Sequence, residues 1–407
     1  MPDDERVFAT GGQDSRKLGL EHIRIAAAVR SSVRYEGHSW LETEDYYGAD
    51  YMPVLSWSMN LLIQDTGSLY ELWTEIECDE SVTYQLRLGK WQAGAADVLM
   101  DLQSVDGPLA EPVVLKKDFN GYLSVDLWAK GSGRIRVGAL HYRELAGTVG
   151  TFLPGDVRHA DAGGEEFFSY LDVMDRKPPL NVYFSGYRTL EGFEGWRMMR
   201  SMGAPFLLLT DPRLEGGKFY LGSGEYETSL EQTIRDALSE LGFTEQQLIL
   251  SGMSMGTYGA MYYSAPLRPH AVVIGKPLMN AGTIAADERI LRPGGFPTSL
   301  DVLMNLEGDT TDEAVEQLNH RMWDRFDRTD FRNTKFAISY MEQDDYDPKA
   351  YEDILLHLKD KRVQIYGKGL IGRHNDNTEG IVQWFKSQYR RILQEDFGRD
   401  SAGEQVQ

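Results

Sequence analysis

The sequence predicts an α/β protein: a mostly parallel sheet flanked by helices, preceded by an N-terminal β-sandwich. Two patterns of hydrophobic spacing carry that prediction. Between residues 51 and 146 apolar side chains recur at every second position, whereas from residue 170 to 397 short continuous apolar runs alternate with stretches of helical spacing. A third observation marks the sharpest strand-to-helix transition, "QLILSGMSMGTYGAMYYSA", where Gly252–Gly256 reads Gly-x-Ser-x-Gly.

Residues 1–50 are set apart as an N-terminal segment that opens on the charged "MPDDERVFATGGQDSRKLGLEH". In the 51–146 region, "SVTYQLRL" puts Val82, Tyr84, Leu86 and Leu88 on one face, and "ELWTEIECDE" does the same for Leu72, Thr74, Ile76 and Cys78. "GYLSVDLWAKGSGRIRVGALHYREL" reads as two strands around a "KGSG" turn. Short antiparallel strands at this spacing suggest a sandwich, suited either to carbohydrate binding or to protein interaction. Residues 147–169, rich in Gly, Asp and Pro, read as a linker.

Beyond the linker the apolar runs "LNVYFSG", "PFLLLTD", "QLILSG", "AVVIGKP", "FAISYM" and "VQIYG" are separated by helical patterns, which argues for buried parallel strands with helices on both faces. Residues 398–407 form a polar tail.

Composition sets bounds. The chain has 407 residues, 42% hydrophobic and 26% charged, with a net charge of -21. That balance speaks against nucleic acid or an anionic membrane as partner. No apolar run reaches the roughly 18 residues of a membrane span and no signal peptide is visible, so the expected location is the cytoplasm. Cys78, the single cysteine, cannot form an internal disulfide and reads as a packing residue. No metal-ligand spacing, phosphate loop or dinucleotide fingerprint is present; no bound cofactor or metal is expected.

The serine at the elbow carries the chemistry. A strand before Gly252 and a helix after Gly256 are the setting in which a serine hydroxyl is lifted to the C-terminal edge of a sheet. Ser254 would be the nucleophile, and the N–H of Met255 would face a developing oxyanion. The second oxyanion donor is assigned to the loop after "LNVYFSG", at Gly186 or Tyr187.

In α/β-hydrolase-like sheets the order is Ser, then Asp or Glu, then His. His374 lies in the glycine-rich loop "KGLIGRHNDNTEG" after the last strand and is the expected general base. The acid comes from "YMEQDDYDP": Asp344, with Pro348 following, fits best, and Glu342 is the alternative.

The strings "VYFSGYRTLEGFEGWRMMR", "APFLLLTDPRLEGGKFYLGS", "LSGMSMGTYGAMYYSA", "IGKPLMNAG", "RPGGFPTSLD", "FAISYMEQDDYDPKAY" and "GRHNDNTEGIVQWF" resemble those of one family. It is the second accessory secretory protein of the bacterial accessory Sec system, which exports serine-rich repeat adhesin glycoproteins. The resemblance covers about residues 170–397. It implies an α/β-hydrolase-like acetyltransferase that modifies N-acetylglucosamine on the adhesin before export, with a triad falling on Ser254, Asp344 and His374.

The implied partners are the adhesin, other accessory secretory proteins and a SecA-type ATPase, with a place at the inner face of the membrane through that complex. The acyl donor, with acetyl-CoA among the candidates, would be a cosubstrate. Within the family strings Asp211, Arg213 and Asn280 are candidates for binding sugar or donor, with a structural Asp–Arg turn as the alternative. A carbohydrate acetylesterase with the same triad, and a non-catalytic scaffold or chaperone of the export complex, are the competing readings.

Overall fold

A computed structural model describes residues 9–10, 15–57, 61–94, 98–147, 149–214, 216–287 and 299–399. The chain forms two compact units, one ending at Pro154 and the other running from Gly155 and taking in Ala9–Thr10, which pair with Phe193–Glu194. The first is all antiparallel, an 11-stranded sheet whose strands connect through one 24-residue strand, Gly121–Glu144. The alternating pattern puts Val82, Tyr84, Leu86 and Leu88 into its core, together with Leu123, Val125, Leu127 and Ala129 from the long strand. Cys78 ends the strand Leu69–Cys78, half-buried, with its thiol toward the carbonyl of Val82 at 3.7 Å.

Three boundaries differ from the sequence expectation. The first unit begins well before residue 51: Arg16–Leu18, Val33–Glu36 and Trp40–Tyr46 are strands of the same sheet, and Leu18, Leu41 and Tyr47 enter its core. The expected "KGSG" turn is not a turn. Residues 121–131 pair with Val82–Gln92, and the same strand continues to pair with Trp40–Tyr46 and Leu69–Cys78. Gly131 makes the change of partners possible. Its φ is +102, and a Cβ there would lie 2.2 Å from the carbonyl oxygen of Ser81. Glycine thus lets the strand bend and come close to its neighbour without reversing. Last, the segment read as a linker contains two strands of the second unit.

Those strands are β1 (Val157–Ala160) and β2 (Glu166–Asp172). There follow β3 (Leu180–Phe184), the short α1 (Trp196–Arg200), β4 (Phe206–Thr210), α2 (Gly224–Leu241), β5 (Leu248–Met253), α3 (Met255–Leu267) and β6 (Ala271–Gly275). Then come α4 (Ala281–Asp287), α5 (Ser299–Glu307), α6 (Asp312–Asp327), β7 (Lys335–Met341), α7 (Ala350–Leu358), β8 (Gln364–Leu370) and α8 (Thr378–Phe397).

The sheet order is β1-β2-β4-β3-β5-β6-β7-β8, with β2 antiparallel to both neighbours and β3 to β8 parallel. All side chains of β3, β4, β5 and β6 are buried, which is why these strands read as unbroken apolar runs. Each large apolar side chain so buried stabilises the unit by about 1.5–3 kcal/mol.

Local signals set the helix ends. The Ser223 hydroxyl accepts from the amide of Tyr226 to start α2, and Gly242, at φ +74, ends it. The helix α8 is tied to the sheet through Tyr389, whose hydroxyl donates to Ser251 Oγ at 2.9 Å. Of the polar tail only Gly398 and Arg399 are described, and the Arg399 guanidinium donates to the carbonyls of Lys177, Pro178 and Gly203. No helix among the described residues is long and apolar enough to cross a membrane.

Gly131→Ala should lower stability by about 1–3 kcal/mol, because a Cβ must displace backbone rather than a flexible side chain. Denaturant titration would check it; an unchanged midpoint would contradict the account of the long strand.

Candidate active site

Ser254 occupies the single residue between β5 and α3, with φ 51 and ψ -125. For a serine this is strained backbone, and it persists because its surroundings fix it. The strand and helix are pressed together on either side: a Cβ on Gly252 would lie 2.3 Å from the carbonyl oxygen of Gly256, and one on Gly256 would lie 2.0 Å from that of Phe184 on β3. The amide of Ser254 donates to the carbonyl of Gly275 at 2.9 Å, which anchors the turn to β6. The hydroxyl therefore stands at the C-terminal edge of the parallel strands, half-buried.

His374 reaches that hydroxyl from the loop between β8 and α8. Its Nε2 lies 2.8 Å from Ser254 Oγ, and its Nδ1 lies 2.8 Å from Asp344 Oδ2. The two loops that bring acid and base together are laced to each other. Gly372 donates to the Gln343 side chain, Gln343 donates to the carbonyl of Gly372, and the His374 amide donates to Asp345 Oδ1 at 3.0 Å. The ring of Tyr346 lies 4.6 Å from the imidazole.

Asp344 is buried, and its second oxygen accepts from the amides of Tyr346 and Asp347 at 2.9 and 3.1 Å. Burial would push its carboxyl up. The hydrogen bond and charge of His374 and the two amides outweigh burial, and the carboxyl lies below its ordinary range. Glu342, the alternative acid, is exposed and points its amide at the carbonyl of Leu370; the position facing His374 Nδ1 belongs to Asp344.

As the first residue of α3, Met255 has an N–H with no partner inside the helix. Gly186 differs from its assignment. It lies beside Ser254, but its N–H donates to Glu194 Oε2 at 2.7 Å.

The profile of the accessory Sec system GspB-transporter family matches residues 4–399. The chain belongs to that family. Accessory Sec system proteins of Staphylococcus aureus and Streptococcus gordonii are 42% and 40% identical, covering 96% and 95% of this chain and 74% and 76% of theirs. A chain of the Glycosylation Associate Protein complex from Streptococcus agalactiae is 43% identical and superposes with a TM-score of 0.91, over 98% of this chain and 78% of that one.

In this accessory Sec family member the three residues assigned to ligand binding are committed elsewhere. Asp211 and Arg213 bond each other through two pairs of atoms, both at 2.8 Å, inside the loop after β4. Asp211 also accepts from the amides of Lys218 and Tyr220, and Arg213 donates to Glu165 and to the carbonyl of Leu221. Both are buried, so they hold the loop rather than present groups to a ligand. Asn280 donates to Asp347 and Asp353 and accepts from the indole of Trp323. It braces Asp347, whose amide in turn reaches Asp344. Its place is behind the acid.

Two charged residues near Ser254 escaped sequence reasoning. Glu194 sits in "GFEG", where nothing signals chemistry, and Lys276 in "IGKP", which suggests chemistry only as a phosphate loop whose motif is incomplete. Lys276 is buried and bonded to Thr378 Oγ1 at 3.3 Å. Burial pulls its ammonium down, against the charges of Asp344 and Glu194. Among the described residues no three His, Cys, Asp or Glu side chains gather so as to hold a metal ion.

The network around Arg213 yields a stability prediction. Burial would raise the Glu165 carboxyl, but Arg213 and Lys218 dominate and bring it down to about 2. Its folded value lies below the unfolded one, so the stabilisation is complete above the unfolded value of about 4.3 and drains away as pH falls toward 2. Glu165→Gln should cost up to about 3 kcal/mol at neutral pH, with the gap to the unsubstituted protein closing in acid. Urea titrations across acidic pH would show it; a gap that persists unchanged would contradict the assignment.

Proposed function

We propose that this protein is a serine-dependent O-acyltransferase of α/β-hydrolase type that transfers acetyl groups to N-acetylglucosamine hydroxyls on serine-rich repeat adhesin glycoproteins before their export. The observation that carries the reading is the continuous hydrogen-bonded path from Ser254 Oγ through His374 to Asp344, at 2.8 Å per step. A serine held on strained backbone with its base already in contact is set up for nucleophilic attack.

In the acylation step Ser254 Oγ attacks the carbonyl of the acyl donor, a thioester such as acetyl-CoA, while its proton passes to His374 Nε2. Asp344 holds the tautomer with hydrogen on Nδ1 and stabilises the imidazolium. The Met255 N–H stabilises the tetrahedral oxyanion, and the leaving group departs with the proton from His374. The sugar hydroxyl then gives its proton to His374 and attacks the acyl-serine. As the second tetrahedral intermediate collapses, Ser254 Oγ leaves and takes the proton back.

Membership of the accessory Sec family supports action on export cargo. The S. agalactiae relative belongs to a complex described as glycosylation-associated, which supports a glycoprotein acceptor and assembly with other accessory secretory proteins. A SecA-type ATPase and a cytoplasmic setting complete the proposal. An esterase would use the same residues and differ only in whether water or sugar takes the acyl group.

Ser254→Ala should abolish adhesin glycan O-acetylation, a loss of at least about 10³-fold. Export, measured separately, should continue if the protein's part in the complex is independent of the serine. Fluorophosphonate labelling should mark Ser254 and fail in His374→Ala. Acetylation that survives Ser254→Ala would overturn the proposal, and release of free acetate with no sugar ester would turn it to the esterase.

A further inference from the structure

The amide expected to help bind the oxyanion is already occupied by a carboxylate. A Cβ built on Gly186 would lie 3.3 Å from Glu194 Oε2 and 3.9 Å from Ser254 Cβ, so the three groups are neighbours. Glu194 holds the loop after β3 at two points: Oε2 accepts from Gly186 N–H at 2.7 Å, and its own amide donates to Ser185 Oγ at 3.0 Å. Ser185 is itself fixed, its carbonyl accepting from the Tyr220 hydroxyl at 2.6 Å. The Glu194 carboxyl thus sits beside Ser254 on the amide assigned to the oxyanion.

We propose that Glu194 is a built-in block on acylation, its carboxylate occupying the Gly186 amide until that amide is released to the tetrahedral intermediate. The inference rests on the acyltransferase reading of Ser254 and adds regulation of that same site. A carboxylate there opposes the oxyanion twice, by its charge and by taking the donor. Neutralising it removes the first effect and weakens the second.

Burial pushes the Glu194 carboxyl up, against the Gly186 amide and the charges of Arg188 and Lys276. The groups facing it are Arg188 on its own loop, Tyr183 on β3, Lys276 after β6 and Tyr220 after β4. Acylation thus needs His374 free of its proton and Glu194 holding one, which gives a bell-shaped pH profile.

The test is the pre-steady-state rate at which an activated acetyl ester acylates the full chain, followed across pH. The wild-type rate should fall on both sides. Glu194→Gln keeps an acceptor for Gly186 without the charge; its alkaline limb should flatten, and in alkali it should acylate about tenfold faster, a difference of the order of 1.4 kcal/mol in barrier. An unchanged profile, or a variant slower at every pH, overturns the block. Should Glu194→Gln fail to fold, the wild-type profile decides alone: an alkaline plateau overturns the proposal and an alkaline decline supports it. A wild-type protein that neither acylates nor takes a fluorophosphonate refutes the nucleophilic role of Ser254, and the block with it. A labelled wild type with an unaltered Glu194→Gln profile refutes the block only.

Discussion

The left-handed backbone of Ser254 is the constraint on which the site depends. A serine at φ 51 is held there by the closeness of three backbones, those of β5, α3 and β3, with glycines at 252 and 256 where any side chain would collide with a carbonyl. The strain, of order 1–3 kcal/mol, is carried by the burial of nearly all of α3 against the sheet. In return the hydroxyl is presented outward while its neighbouring amide begins a helix. A relaxed serine in the same loop would lie within the turn, out of line with His374.

The remaining residues of the site depend on a second layer that does no chemistry. Asn280 and Asp347 brace the loop that carries Asp344, and the Gln343–Gly372 exchange joins that loop to the one carrying His374. On the other side of β5, the buried Asp211, Arg213 and Lys218 and the half-buried Glu165 form a charged cluster that shapes the loop packed against Met255. Removing one member would leave an unpaired buried charge, which is more costly than the pair is favourable. These polar groups are spent on geometry, which explains why residues that looked like ligand binders in the sequence turn out to be scaffold.

The C-terminal sheet was legible because its central strands are buried on both faces and so read as apolar runs, and because Gly-x-Ser-x-Gly has meaning between a strand and a helix. The order Ser254, Asp344, His374 followed from where the strands end. The proline at 348 already favoured Asp344 over Glu342, and the coordinates exclude the alternative: Asp344 faces His374 Nδ1 while Glu342 is exposed. The helices α4 and α5 were not anticipated, being short and set by packing rather than by a strong period. The continuous strand through Gly131 was missed because Lys-Gly-Ser-Gly has the composition of a turn, and only the partner strands, distant in sequence, make it extended. Glu194 was invisible for the same reason: its meaning lies in a contact with Gly186.

In the proposed mechanism Ser254 forms a covalent acyl intermediate. The most direct test is peptide mapping by mass spectrometry after a brief exposure of the intact protein to an activated acetyl ester and an acid quench. One acetyl group is expected on the peptide carrying Ser254, absent in Ser254→Ala and strongly reduced in Asp344→Asn. Acetylation scattered over lysines, with the same pattern in Ser254→Ala, would contradict it.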